Sequence, residues 1–108
     1  MFIYEVQHYH CNNGRYTVVS NLVYDEKDFV HPIGFEFAVS FCSPKDKFNR
    51  KTGRKIAYNR FIDNDEKYYR YIPIKSNRKP KHVDFRDLTI STIFATMDIP
   101  RWMTTDNC

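Results

Sequence analysis

Glycine is scarce in this chain, with three among 108 residues, at positions 14, 34 and 53. None has the spacing of a P-loop or a G-x-G-x-x-G turn, which excludes the commonest backbone cradles for nucleotide phosphates. No stretch approaches the ~20 apolar residues of a membrane-spanning helix. Met1-Phe2-Ile3-Tyr4-Glu5-Val6 reaches an acidic residue too early for a signal peptide, so the expected setting is the cytoplasm, off the membrane. Cysteine is sparse as well. Cys11, Cys42 and Cys108 are an odd number without a short paired spacing, a pattern that argues against a secreted disulfide scaffold and for reduced thiols.

Aromatic residues, by contrast, are plentiful. They make up 17% of a chain that is 42% apolar, enough bulky surface for one core, and nothing marks a linker between two, so residues 1–108 read as a single domain. Basic residues outnumber acidic ones by 17 to 13, for a formal charge of +4. The excess favours anionic partners, but its distribution must decide which.

The expected fold is α+β: an antiparallel sheet of about four or five strands packed with two helices. In Phe2 to Cys11, Phe2, Tyr4 and Val6 share one strand face, and Asn12-Asn13-Gly14 supplies residues that tolerate the positive φ of a tight reversal. Tyr16 to Tyr24 should return antiparallel. Asp25 to Ile33 is charged and contains Pro32, so it reads as a connection. Gly34 to Cys42 then places Phe35, Phe37, Val39 and Phe41 on one face of a third strand. Ser43-Pro44-Lys45-Asp46 has a serine cap, proline at the first helical position and an acid three residues on, predicting a helix from here to about Phe61. Lys67 to Ile74 is a fourth strand that Pro73 confines to an edge or ends. Lys75 to His82 is a basic loop. Asp84 or Asp87 can cap a second helix carrying Ile90, Ile93, Phe94 and Met97 until Pro100, although Thr89 to Phe94 could pass for a strand.

On a helical wheel Lys47, Arg50, Lys51, Arg54 and Lys55 form a basic stripe. Phe48, Thr52, Gly53, Ile56 and Ala57 lie around the other side, with Arg60 intruding there. A second basic group, Arg70, Lys75, Arg78, Lys79, Lys81 and Arg86, is interleaved with Tyr68, Tyr69 and Tyr71. Guanidinium groups bind phosphates and rings stack on bases, so the ligand-binding candidates are Arg50, Arg54, Arg60, Arg70, Arg78 and Arg86 with Tyr69 and Tyr71. Solvated helix faces and core aromatics are the bland alternatives. His8, His10 and Cys11 lack the further ligands a zinc site needs, and strand-face histidines of ordinary structural use are the expectation. Cys42 reads as a structural thiol. Asp63, Asp65 and Glu66 read as a polar turn, since no nucleophile motif accompanies them. No catalytic residue, metal or cofactor is expected.

Ala38-Val39-Ser40-Phe41-Cys42-Ser43-Pro44-Lys45-Asp46-Lys47-Phe48, continuing through Arg50-Lys51-Thr52-Gly53-Arg54-Lys55-Ile56-Ala57 to Arg60, resembles a strand-and-helix pattern of small phage-encoded proteins. In size and mixed outline the chain is similar to the Thoeris anti-defence proteins of the first type, phage sponges that sequester cyclic ADP-ribose signals. The resemblance implies a homo-oligomer whose arginines hold phosphates while aromatic or amide side chains hold adenine. It carries no role onto a named position. The function so implied is non-enzymatic sequestration of a small cyclic nucleotide. The alternative is a phage nucleic-acid-binding protein, or an anti-CRISPR-type inhibitor of a nucleic-acid-bound machine, and a third possibility is a small phosphodiesterase.

Overall fold

Alternation of apolar and polar residues along three consecutive segments builds a meander, and a fourth strand completes it. The computed structural model describes residues 4–74 and 85–104. Strands β1 (Glu5–Cys11), β2 (Gly14–Asp25), β3 (Asp28–Cys42) and β4 (Tyr69–Pro73) form one antiparallel sheet in the order β1-β2-β3-β4. Helix α1 (Arg50–Ile62) lies between β3 and β4 in sequence, and helix α2 (Phe85–Thr96) follows β4. This is the expected α+β architecture, with four strands. Phe2, the Lys75 to His82 loop, the Asp84 cap and the last residues of the tail fall outside the described residues.

The β1–β2 reversal is a two-residue hairpin turn in which Asn12 and Asn13 adopt φ of 51° and 68°, the left-handed conformation asparagine tolerates best after glycine. It fixes the register at Cys11↔Gly14 and, further along, Val6↔Val19. The Asp25 to Ile33 segment departs from expectation, because only Glu26 and Lys27 turn and β3 already starts at Asp28. Pro32 is accommodated at a register shift opposite Tyr24, beyond the last β3–β4 pair at Gly34↔Pro73. A missing N–H there interrupts no three-strand ladder.

Each face of the sheet is covered by one helix. On one side Val19 and Ala38 meet Ala57 and Phe61 of α1, with Val6, Tyr58 and Tyr69 around them. On the other, Tyr16, Val18, Phe35, Phe37 and Val39 pack with Ile93 of α2 and with Met97 just beyond its end. Phe37 and Ile93 are fully buried, and each contributes about 1.5–3 kcal/mol relative to an exposed position. The strand alternative for Thr89 to Phe94 does not hold. The Thr89, Thr92 and Thr96 hydroxyls donate to the carbonyls of Phe85, Leu88 and Thr92 at 2.6, 2.8 and 2.7 Å, a pattern only helical backbone provides.

Helix α1 begins six residues later than the Ser43 signal predicts, at Arg50 rather than Pro44. Ser43 closes a local turn instead, its Oγ accepting from Lys45 N and its carbonyl from Asp46 N. The cap is Asn49, whose side chain accepts from Thr52 N at 3.1 Å. Asparagine caps as well as serine, and starting at Arg50 sets Gly53, Ala57 and Phe61 in a row toward the sheet. That row replaces the expected buried side, since Ile56 is 41% exposed and Phe61 only 4%. Gly53 is the point of closest approach: a Cβ there would lie 2.7 Å from Thr17 Oγ1, and Ser40 Oγ donates to its carbonyl at 2.8 Å.

The segment after α2 returns to the β1–β2 turn. Asn12 Nδ2 donates to Trp102 O at 2.6 Å and to Thr104 Oγ1 at 2.7 Å, Trp102 covers Gly14, and Met103 is buried. Cys11, fully buried beside this strap, is disulfide-bonded, while Cys42 is a free thiol. The reduced-thiol expectation therefore fails at Cys11. Among the described residues, no helix is long and apolar enough to cross a membrane.

Candidate anion-binding site

Period-two alternation along β1 turns Val6 and His8 toward the α1 side of the sheet, and the register sets His8 opposite Thr17. His8 Nδ1 is 2.9 Å from Thr17 Oγ1, and its ring meets the Phe48 ring edge-on at 5.6 Å. The Arg15 guanidinium lies over the other part of this cluster, 4.7 Å from the Phe48 centroid. Because α1 starts at Arg50, its first turns bring Arg50, Lys51 and Arg54 beside the β1 edge. Together Val6, His8, Arg50, Lys51 and Arg54 line an open concavity of about 380 Å³.

Electrostatically the concavity has one sign. None of its side chains pairs with a carboxylate among the described residues, where the one ion pair, His31–Asp28, lies elsewhere. The His8 imidazole is held below its ordinary value of 6.5, first by burial and then by the charges of Arg50, Arg54 and Arg15. It is therefore neutral at pH 7, and the surrounding cations lack a counter-charge. Such a cluster is suited to take up an anion, because guanidinium groups bind phosphate oxygens through charge-assisted, often bidentate hydrogen bonds.

The remaining candidate residues divide by position. Arg50 and Arg54 belong to the concavity. Arg60 is spent on the fold: its Nη1 donates to Val39 O at 2.8 Å and its guanidinium lies 4.2 Å from the Tyr68 centroid. Arg70 staples β4 to the end of α2, donating to Thr96 Oγ1 and O and to the carbonyls of Glu66 and Tyr69. Arg86 stands on the opposite side of the sheet, 5.3 Å from the Tyr9 centroid and bonded to Tyr16, whose hydroxyl burial pushes up to about 12. Tyr69 donates to Glu36 Oε2, while Tyr71 is exposed with its hydroxyl 3.4 Å from Ile33 O. Arg78 lies outside the described residues. The sheet thus separates Arg50 and Arg54 from Arg70 and Arg86, and no single pocket gathers all of them. His8, Arg15 and Lys51 were not among the candidates. Alternation already put His8 on a face with Val6, but only the strand register and the helix start bring it to Arg50.

Two other hollows complete the surface. One, of about 430 Å³ on the α2 side, is lined by Tyr9, Val18, Leu22, Phe35 and Phe85 with Glu5 at its edge, a carboxylate that disfavours anions. The other, of about 230 Å³, lies where β3 meets α1 and includes Lys47, Phe48, Thr52 and Ile56. Among the described residues, no group of three or more His, Cys, Asp or Glu side chains converges as metal ligands would. No protein-family model matches the chain, and neither does any curated protein or solved structure.

Proposed function

We propose that this protein captures a phosphate-bearing anion on its α1 side and leaves it chemically unchanged. The observation that carries the reading is the convergence of Arg50, Lys51, Arg54 and His8 on one concavity without a compensating carboxylate among the described residues. In its small-ligand form this is sequestration of a cyclic nucleotide of the cyclic ADP-ribose type, the activity of a phage anti-defence sponge acting in the host cytoplasm. Arg50 and Arg54 neutralise the diphosphate, and the Phe48 ring beside His8 offers a stacking surface. Binding alone accounts for such an activity, so no catalytic residue is assigned.

A second reading, attachment to a polynucleotide or to a nucleic-acid-bound machine, is favoured by the openness of the site and by the exposed Lys55, which extends it along α1. Salt dependence separates the two. Polynucleotide affinity falls steeply with ionic strength because each neutralised phosphate releases counterions, whereas a ligand of few charges gives a shallow slope.

Calorimetric titration with cyclic ADP-ribose, inorganic pyrophosphate and a mixed-sequence oligonucleotide at several salt concentrations tests both readings. Arg50→Ala and Arg54→Ala should each weaken capture by roughly tenfold or more, the scale of one lost charge-assisted hydrogen bond. Ligand recovered intact after denaturation is expected. Unchanged affinity in both variants, or conversion of the ligand, would refute the proposal.

A further inference from the structure

The β2–β3 hairpin reaches past the rest of the sheet. Among the described residues, β1 pairs with β2 no further than Ser20 and β4 with β3 no further than Gly34, with Ile74 N donating to Ile33 O just beyond, so the segment from Tyr24 to Pro32 forms a two-stranded arm. At its end Phe29 and Val30 are each 78% exposed. Single exposed apolar residues are ordinary, but these two are adjacent, contribute nothing to either core, and sit on a tip held in one shape. The Asp28 carboxylate accepts from Val30 N at 2.9 Å and His31 N at 3.3 Å and lies 3.0 Å from His31 Nδ1, while Asp25 accepts from Lys27 N. Asp25, Glu26 and Asp28 make the tip acidic, with Lys27 the one opposing lysine in the turn.

At the other end of the same strands, the 230 Å³ pocket has the complementary character. Phe48 and the half-exposed Ile56 wall it, Lys47 lines it beside a single carboxylate, Asp46, and the Arg15 guanidinium lies over Phe48, which leaves the cations in excess. Fifteen residues of β3 separate the two ends, about 50 Å at ~3.3 Å per residue, and the molecule is 47 Å long. The tip therefore cannot reach the pocket of its own chain.

We infer that the hairpin tip of one copy docks into the pocket of a second, seating Phe29 between Phe48 and Ile56 with Asp25, Glu26 and Asp28 facing Arg15 and Lys47. Such a contact is heterologous: each docked copy still offers a free tip or a free pocket, so assembly proceeds head to tail into short chains or closes into a ring. The contact is smaller than the ~1,600 Å² typical of stable complexes, so association is weak and grows with concentration. It borders the anion site but does not depend on it.

Sedimentation velocity at rising protein concentration tests the inference. The wild type should gain mass with concentration and lose it in high salt. Phe29→Ser removes the tip anchor, and Ile56→Glu disables the pocket. Both are exposed positions, and each variant alone should stay monomeric with wild-type circular dichroism. Mixed, the two should form one-to-one dimers and nothing larger, because the first retains a pocket and the second a tip. Phe29→Leu should keep most of the association. Both altered proteins should still bind pyrophosphate, which separates this inference from the anion-site proposal. A wild type that remains monomeric throughout, association that survives Phe29→Ser, or a mixture that fails to pair would overturn it.

Discussion

At the scale of single residues, His8 links the proposed ligand to pH. In the free protein burial and three nearby arginines favour the neutral imidazole, so the folded state takes up its proton at lower pH than the unfolded chain does. Stability from this group is complete above 6.5 and is lost as pH falls below it, which melting temperatures measured across pH will show as a decline absent from His8→Gln. A bound phosphate reverses the preference by supplying the missing negative charge. Pyrophosphate affinity should therefore rise as pH is lowered through 6.5, and His8→Gln should flatten that rise. Arg54 and Arg60 make a second contrast. Arg60→Ala gives up a main-chain hydrogen bond and a ring contact and should cost about 2 kcal/mol in denaturant unfolding, with pyrophosphate affinity unchanged. Arg54→Ala should do the opposite. Helical position already separates these two arginines, Arg54 in the basic stripe and Arg60 on the side turned to the sheet, but what Arg60 meets there is set by Val39, a partner 21 residues away.

Between residue and fold, the secondary elements show where sequence signals compete. The strand faces could be read directly, since Phe35, Phe37 and Val39 alternate as the register requires. The start of α1 could not. Ser43-Pro44-Lys45-Asp46 and Asn49 both carry cap chemistry, and the choice between them is made by packing of Ala57 and Phe61 on the sheet. Asn49→Ala should destabilise by about 1 kcal/mol and Ser43→Ala by less, a ranking that chemical denaturation checks. Gly53 gives a sharper test. By helix propensity alone, alanine there would add about 1 kcal/mol, but the new methyl would press on the Thr17 hydroxyl that His8 contacts. Gly53→Ala should lower the melting temperature, with a net loss of roughly 1–2 kcal/mol typical of overpacking. A rise would show that α1 can lift off the sheet without penalty.

Across the whole molecule, charge is uneven: Asp25, Glu26 and Asp28 sit at the hairpin tip, whereas Arg15, Lys47, Arg50, Lys51 and Arg54 outnumber Asp46 where β3 meets α1. A total of +4 conceals this, as does the sequence order of the charged residues, because the meander carries residues 25–28 away from residues 47–54. Since a docked tip and a phosphate draw on neighbouring cations, pyrophosphate should shift the assembled protein toward monomers in sedimentation runs. Redox state is also a property of the folded whole. Alkylation of the denatured, unreduced protein followed by peptide mapping should label Cys42 and leave Cys11 unlabelled. Labelled Cys11 would mean that its thiol is reduced in the folded protein.

The two layers flanking the sheet are unequal. Among the described residues, nine buried apolar side chains, from Cys11 to Met103, cluster on the α2 side, against Val19, Ala38, Ala57 and Phe61 on the α1 side. Amide protons of α1 should then exchange with deuterated solvent sooner than those of α2, since the helix with the thinner apolar footing opens more readily. The cationic surface rides on the layer most able to breathe, so an occupying anion would act as a clamp on that helix, slowing its exchange and leaving the far side of the sheet almost untouched.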